Sequence, residues 1–314
     1  MSRGSAAVTV RAPAKVNLSL AVGPRRRDGY HELVTVFHAV SLFEDVIAEP
    51  ADDLTVEVTT PSAGVCVENV PVNSSNLAVR AAHLLAERCE VATGARLRIV
   101  KRVPVAAGMA GGSADAAAAL VACDALWRTG LSRDELRDLA ADLGSDVPFC
   151  LLGGTAVGTG RGEQLTPALA RTGDYHWVLA VSDHALATAE VYAECDRLRQ
   201  GRRVPEPEVD EAMMQALRSG DVEALGRALC NDLQAAACSL LPELHRVLDV
   251  GEQYGALGSV VSGSGPTVAF LVRDKEAGLD LSVALTASGV CRTTLRVTGP
   301  VHGARLVEPV VLEH

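Results

Sequence analysis

Closely spaced cysteines are absent from this sequence. Its eight cysteines stand at 66, 89, 123, 150, 195, 230, 238 and 291, no two nearer than eight positions, which excludes a C-x-x-C metal or redox pair. Positive charge is also short: 29 Lys and Arg against 39 Asp and Glu leave a net charge of −10, which disfavours nucleic acid as the main partner. One bound nucleotide is still allowed, because it needs only a local site. Long apolar runs are missing too. The longest uncharged one, Ala116 to Cys123, is far below the ~18 residues of a membrane span. The opening "MSRGSAAVTVRAPAK" lacks the apolar core of a signal peptide. The expectation is a reduced, soluble, cytoplasmic protein with its thiols used as small core residues.

What is present is ample apolar material, 48 % of 314 residues. "VTVRAPAKVNLSLAVG" alternates like a strand, with Val16, Leu18, Leu20 and Val22 on one face and Lys15, Asn17 and Ser19 on the other. Residues 31–48, 54–59 and 95–103 read as further strands, and 76–89 as a helix. Ser132 and Glu135 form a capping box, and Gly144 is placed to end that helix. "GGTAVGTGRGEQL" reads as a hairpin with a glycine-rich tip, 176–181 as a buried strand and 188–200 as a helix. "GRRVPEPEVDE" reads as an exposed linker; after it come helices to about Tyr254, a strand–glycine loop–strand, a helix near 274–288 and a strand at 292–298. Interleaved helices and strands predict an α/β or α+β protein of two halves, 1–164 and 165–314.

The stretch "PVAAGMAGGSADAAAAL" (104–120) runs from glycines straight into helix formers. A helix leaves its first amides unpaired and carries partial positive charge there, and glycines let a phosphate approach. The plain alternative is a tight turn with Ser113 as the cap. This is not a P-loop, since no lysine lies within 103–130, and the glycine spacing is not that of a dinucleotide fold. Any phosphate-binding lysine must come from elsewhere.

Other stretches are weaker when read singly. "HELVT" (31–35) starts like a zinc-protease motif but ends in threonine, and "GGSAD" lacks the last glycine of a nucleophile elbow. Lys15 alone reads as a surface lysine on a strand, and Asp146, before Val147 and Pro148, as an ordinary N-cap. The chain has only ten aromatic residues, and Tyr30, Phe37 and Phe43 lie close together beside an arginine run, where a base could stack; strand packing explains Phe37 and Phe43 equally well. "SGSGPT" (262–267) reads as a turn between strands that could also bring amides to a ligand.

Taken in order, "PAKVNLSL", "PVAAGMAGGSADAAA", "LGSDVPFCLLGGTAVGTGRGE" and "SGSGPT" resemble the GHMP kinases over nearly the whole chain. "RRRDGYHELVTVFHAVSLFEDV" and "SSNLAVRAAHLL" are similar to the branch acting on a cytidine diphosphate methylerythritol. Where that family's loop is richer in glycine, this chain has Ala106, Ala107 and Ala110.

The resemblance implies a two-domain α+β fold, with an N-terminal ribosomal-protein-like ATP-binding domain and a C-terminal ferredoxin-like domain. It implies ATP and Mg²⁺, phosphorylation of the 2-hydroxyl of a small alcohol, and a monomer or weak homodimer without nucleic acid or membrane. Asp146 matches the family's general base and Lys15 its partner lysine. Asn76, Leu77, Lys101, Pro104, Ala107, Gly108, Met109, Ala110, Gly111, Gly112 and Ser113 match ATP-binding positions, with Ser113 the one candidate metal ligand. Asn17, Tyr30, His31, Thr188 and Tyr192 match substrate positions. The rival expectations are a sibling kinase for homoserine or a mevalonate-type alcohol, and a non-catalytic metabolite-binding relative. The presence of Lys15 and Asp146 weighs against the latter.

Overall fold

The computed structural model describes residues 7–62, 65–171 and 173–307. Two long strands frame the first sheet: β1 (Val8–Arg25) and, after a turn, β2 (His31–Ala51), paired antiparallel. Gly29, at φ 89°, supplies the left-handed residue of that turn. Next come β3 (Thr55–Thr59), α1 (Leu77–Arg88), β4 (Gly94–Val100), α2 (Gly111–Trp127), α3 (Arg133–Leu143) and α4 (Val147–Leu152). The hairpin β5 (Thr155–Gly160) and β6 (Gln164–Pro167) follows. The long strand β2 forks: Leu33–His38 pair with β5, while Asp45–Ala51 pair with β4. The capping box is present, with both Ser132 and Glu135 engaged, and Gly144 ends α3.

The α2 helix shows why alanine dominates "SADAAAAL". It packs against β1, β2, α1 and α4, and from Ala114 to Leu120 every residue is buried. A helix buried all round has no polar stripe. Small side chains let it lie close to the sheet, and each larger buried group such as Leu120 contributes roughly 1.5–3 kcal/mol.

The second sheet comes from the later half of the chain: β7 (Tyr175–Val181), α5 (Thr188–Leu198), α6 (Glu211–Ser219), α7 (Val222–Ala228), the short β8 (Cys230–Asn231), α8 (Gln234–Leu240), α9 (Glu243–Gln253), β9 (Gly258–Val261), β10 (Val268–Val272), α10 (Lys275–Ala287) and β11 (Thr293–Gly299). Its order, β11-β7-β10-β9, is antiparallel throughout. That order, with helices after β7 and β10, is the split β-α-β of a ferredoxin-like domain. The fold class is therefore α+β. One apolar cluster joins the two sheets, with Val16, Leu18 and Val36 facing Trp177, Leu179 and Leu271. The late strand β12 (Arg305–Leu306) returns to pair with β1, as β8 does.

Three features depart from the sequence reading. The β1–β2 register shifts between Asn17 and Ser19, a bulge that breaks strict alternation. Val16 and Leu18 therefore join one apolar cluster and Leu20 and Val22 another. Lys15 is no surface lysine; it is 4 % exposed, because both faces of β1 are covered. Strand β4 stops at Val100, since Lys101 and its neighbours turn inward to meet Glu44.

Candidate active site

Residues 104–110 carry β4 into α2, and their backbone alternates in hand. Ala106, Gly108 and Ala110 have φ of 54°, 73° and 60°, while Ala107 and Met109 between them stay negative. Such alternation turns successive N–H groups toward one concavity, an anion-binding nest. Glycine is obligatory at 108, where a Cβ would lie 2.2 Å from the Ser262 carbonyl oxygen. Alanine at 106 and 110 holds the same hand at a cost of about 1–2 kcal/mol each. Ala110, not Ser113, is the N-cap of α2, and no side chain caps the helix. The Ser-cap reading of this stretch thus fails, and the first-turn amides face the cavity without a protein cap.

Lys15 is fixed beside this loop. Its Nζ donates to Asn17 Oδ1 (2.7 Å) and to the Gly108 carbonyl (2.8 Å), and it lies over the Phe37 ring at 5.8 Å. Asn17 Nδ2 donates to Thr35 Oγ1 (2.8 Å), which donates to the Ser19 carbonyl (2.7 Å). The Gly108 carbonyl also accepts from Ser262 Oγ at 3.1 Å. Gly263 has to be small, because a Cβ there would be 3.1 Å from Lys15 Nζ. The "SGSGPT" turn therefore closes one wall of the site, secured by Asn231 Nδ2 donating to the Val261 and Gly263 carbonyls (2.7 Å each).

Asp146 occupies the N-cap position of α4 but makes no capping bond. Its Oδ2 instead faces Lys15 Nζ at 3.8 Å, and its side chain is 33 % exposed. A carboxylate with one ammonium neighbour and access to the cavity can accept a proton from a bound alcohol.

Beneath the loop lies a buried triad, of which the sequence reading named only Lys101. Lys101 Nζ sits 2.6 Å from Glu44 Oε1 and 2.7 Å from Asp115 Oδ2. Glu44 also accepts the N–H groups of Arg102 (2.8 Å) and Val103 (3.2 Å). Burial, reinforced by Asp115, raises the Glu44 carboxyl to about 7 although Lys101 opposes the shift. Burial raises Asp115 as well. Burial pulls the Lys101 ammonium down, but the two carboxylates outweigh it and hold it above its ordinary range. The polar head of Asn76 is likewise committed: Oδ1 caps α1 by accepting from Ala78 N (2.9 Å), and Nδ2 donates to the Pro71 carbonyl (2.7 Å).

At the far end, His31 and Tyr192 stack with centroids 5.1 Å apart. His31 Nε2 donates to Asp196 Oδ1 at 2.8 Å. Burial, then Asp146 and Cys195, push the Tyr192 hydroxyl well above its usual range, so it stays a neutral donor. Thr188 Oγ1 and Ser264 Oγ share a 3.0 Å hydrogen bond. Tyr30 is 56 % exposed, with the Arg161 guanidinium 5.3 Å over its ring.

Most of these groups line one cavity of about 1110 Å³, while Glu44, Ser262 and Asn231 stand behind its wall. It takes in Lys15, Asp146, Asn17, Tyr30, His31, Thr188, Tyr192, Asn76, Leu77, Lys101, Pro104 and the loop through Ser113, except Met109. The Met109 side chain is packed into the core, and only its carbonyl reaches the site, accepting from Lys15 N at 3.2 Å. Phe37 both packs on Phe149 and lines the cavity. Phe43 carries the Arg11 guanidinium at 5.4 Å and takes no part in the site. Thr35, Glu44, Asp115, Arg161, Asp196 and Asn231 were not singled out from the sequence. Asp196 alone had a local signal, one helical turn after Tyr192. Among the described residues no three metal-ligating side chains cluster, and no helix is long and apolar enough to cross a membrane.

The chain is similar to known proteins over nearly its whole length. The family profiles described as "GHMP kinases N terminal domain" and "GHMP kinases C terminal" match residues 76–154 and 213–291. The 4-diphosphocytidyl-2-C-methyl-D-erythritol kinases of Leifsonia xyli subsp. xyli and Thermobifida fusca are each 55 % identical over 96 % of this chain and cover 99 % and 98 % of their own lengths. A crystal structure of 4-(cytidine 5'-diphospho)-2C-methyl-D-erythritol kinase superposes with TM-score 0.72 at 34 % identity, covering 92 % of this chain and 98 % of its own. A homoserine kinase from Cytophaga hutchinsonii, at 17 % identity and TM-score 0.75 over 98 % of this chain and 99 % of its own, shares the fold. With its loop, its lysine–aspartate pair and these relatives, the chain belongs to the GHMP kinases, in the branch of the 4-diphosphocytidyl-2-C-methyl-D-erythritol kinases.

Proposed function

We propose that the chain transfers the γ-phosphoryl group of ATP to the 2-hydroxyl of 4-diphosphocytidyl-2-C-methyl-D-erythritol, a step of non-mevalonate isoprenoid synthesis. The observation that carries this reading is the placing of Lys15 and Asp146, 3.8 Å apart, on the same cavity as the alternating loop at 106–110. Residues 1–164 supply the loop and both charged groups, and 165–314 supply Thr188, Tyr192 and the Gly263–Gly265 wall.

The amides of 107–113 hold the ATP phosphates, with Leu77 and Pro104 as apolar wall for the base. Asp146 Oδ2 accepts the substrate hydroxyl proton as the hydroxyl oxygen bonds to the γ-phosphorus and the bond from that phosphorus to the ADP oxygen breaks. Proton transfer can come late, because the transition state is loose and charge-rich. Lys15 orients Asp146 and offsets charge on the transferring group. Asn17, fixed by Thr35, keeps the Lys15 ammonium from swinging away. Mg²⁺, when bound, supplies charge compensation to the phosphates. Ser113, the one hydroxyl-bearing residue of the loop, would help to hold that ion. Tyr30, His31, Thr188 and Tyr192 hold the cytosine end. This reading is of a cytoplasmic enzyme, a monomer or weak homodimer.

A coupled ADP-release assay tests it, offering 4-diphosphocytidyl-2-C-methyl-D-erythritol beside homoserine and mevalonate. ADP formation with the cytidylylated substrate alone is the expected result. Turnover of homoserine or mevalonate in its place overturns the substrate assignment.

A further inference from the structure

A cytidine-diphosphate acceptor brings two negative charges on its own diphosphate, and the side chain that meets them is not yet accounted for. Among the described residues, the cations on the cavity are Lys15, Arg25, Lys101 and Arg161. Lys101 is enclosed by Glu44 and Asp115 and has no charge to spare. Lys15 is bonded to Asn17 and Gly108 and faces Asp146. That leaves the two guanidinium groups.

Arg161 is the better placed. It stands at the tip of the β5–β6 hairpin, between Gly160 (φ 73°) and Gly162 (φ 106°). Glu163 fixes the tip: its Oε2 accepts the Arg161 N–H at 2.7 Å, and its Oε1 lies 3.8 Å from Arg161 Nε. The guanidinium rests over Tyr30. On its other side the tip abuts Phe37, whose Cζ would be 3.4 Å from a Cβ at Gly162, and Phe37 is the ring beneath Lys15 Nζ. The hairpin tip thus spans from the base-stacking end of the cavity toward the lysine–aspartate pair. A diphosphate joining cytidine to the reacting polyol must cross that interval. Arg25, by contrast, is turned back on its own turn, with Nε donating to the Gly29 carbonyl at 3.3 Å.

We propose that Arg161 is the specificity-determining residue for the acceptor's diphosphate, held ready on Tyr30 by the glycine-flanked hairpin tip. The inference rests on the substrate reading above. A planar guanidinium suits the role, because it stacks on a ring with its face while its edge donates to two phosphate oxygens.

The test compares binding of CDP and cytidine, by calorimetry, to the wild-type protein, Arg161→Ala and Arg161→Lys, with Arg25→Ala alongside. Wild type is expected to prefer CDP over cytidine by ~10-fold or more, the scale of one charge-assisted contact. Arg161→Ala should lose that preference, retain cytidine binding and keep KM for ATP within about twofold, while Arg161→Lys recovers part of the preference. An undiminished CDP preference in Arg161→Ala overturns the proposal, and its loss in Arg25→Ala would name the other arginine. Loss of cytidine binding together with CDP also overturns it, because Arg161 would then act only through Tyr30. Wild-type protein that ignores both ligands and does not phosphorylate the cytidylylated substrate sinks the substrate reading itself, a separate result.

Discussion

Lys15 and Asp146 meet across the cavity at 3.8 Å, wider than a direct charge-assisted hydrogen bond, with the lysine buried and the aspartate open to the cavity. The ammonium already has short bonds to Asn17 Oδ1 and the Gly108 carbonyl, so it is fixed in place without Asp146. Asp146 is therefore free to take a proton without releasing the lysine. We expect Asp146→Asn to lower kcat by ~10²–10⁴-fold with nucleotide binding intact, the range for losing a general base. Steady-state kinetics beside ADP titration checks this, and near-wild-type kcat would remove Asp146 from the chemistry. Lys15→Ala should lower kcat by at least ~10²-fold.

The loop makes a steric prediction that separates two glycines. Gly108→Ala would drive a Cβ to 2.2 Å from the Ser262 carbonyl oxygen, at a φ of 73°. The backbone there cannot yield without breaking the Lys15 contact, so KM for ATP should rise and the melting temperature fall. Gly112→Ala meets only Leu77 Cδ1 at 3.5 Å, ordinary contact. It should fold at least as stably, since alanine gains ~1 kcal/mol over glycine within a helix. Thermal melts of the two variants distinguish the cases.

The Glu44–Lys101–Asp115 triad makes stability depend on pH. Glu44 holds its proton up to about 7 in the folded protein, against 4.5 for a free side chain. A raised carboxyl pKa contributes stability that is full below pH 4.5 and lost as pH climbs through about 7. Glu44→Gln, neutral throughout, should flatten this part of the profile, so that the variant gains on wild type between pH 5 and 8. Urea midpoints at each pH are the measurement; parallel curves would refute the assignment. Lys101→Met leaves two buried carboxylates facing each other and should cost about 3–5 kcal/mol at pH 8, less at pH 5.

At the base end, Tyr192→Ala removes the ring stacked on His31. KM for the cytidylylated substrate should rise ~5–10-fold, a stacking contribution of order 1 kcal/mol, while KM for ATP holds. Equal rises in both would mean that Tyr192 supports the fold of the cavity rather than one substrate.

Of this site, the anion loop alone was legible from local chemistry, and the other site residues named from the sequence came by resemblance. The glycine-to-alanine switch at 108–117 marked the helix start, because helix propensity and backbone freedom are properties of a short window. Tyr192 and His31 were reachable by resemblance alone. The electrostatic partners were not legible. Nothing in the neighbourhood of Lys101 announces Glu44 or Asp115, since the three meet only once a strand, a connecting loop and a helix are packed. Lys15 read as a surface residue for the same reason: period-two alternation assigns a face but not what covers it. The bulge after Asn17 is also a pairing property, set by two strands together. Asp146 shows the limit of capping rules, for it holds the cap position while its carboxylate serves the cavity.

The pairing of β12 with β1 has a consequence for synthesis of the chain. Val10 and Arg11 find one of their neighbours only when Leu306 and Arg305 have been made. Synthesis must therefore reach Leu306 before the Val10–Arg11 stretch of β1 gains its second neighbour, whereas Ser19 and Leu20 gain theirs with β8, and until then the Val10–Arg11 edge is open to wrong partners. Late closure of this kind leaves that edge exposed while the chain is made, and makes loss of β12 a defect of assembly more than of chemistry.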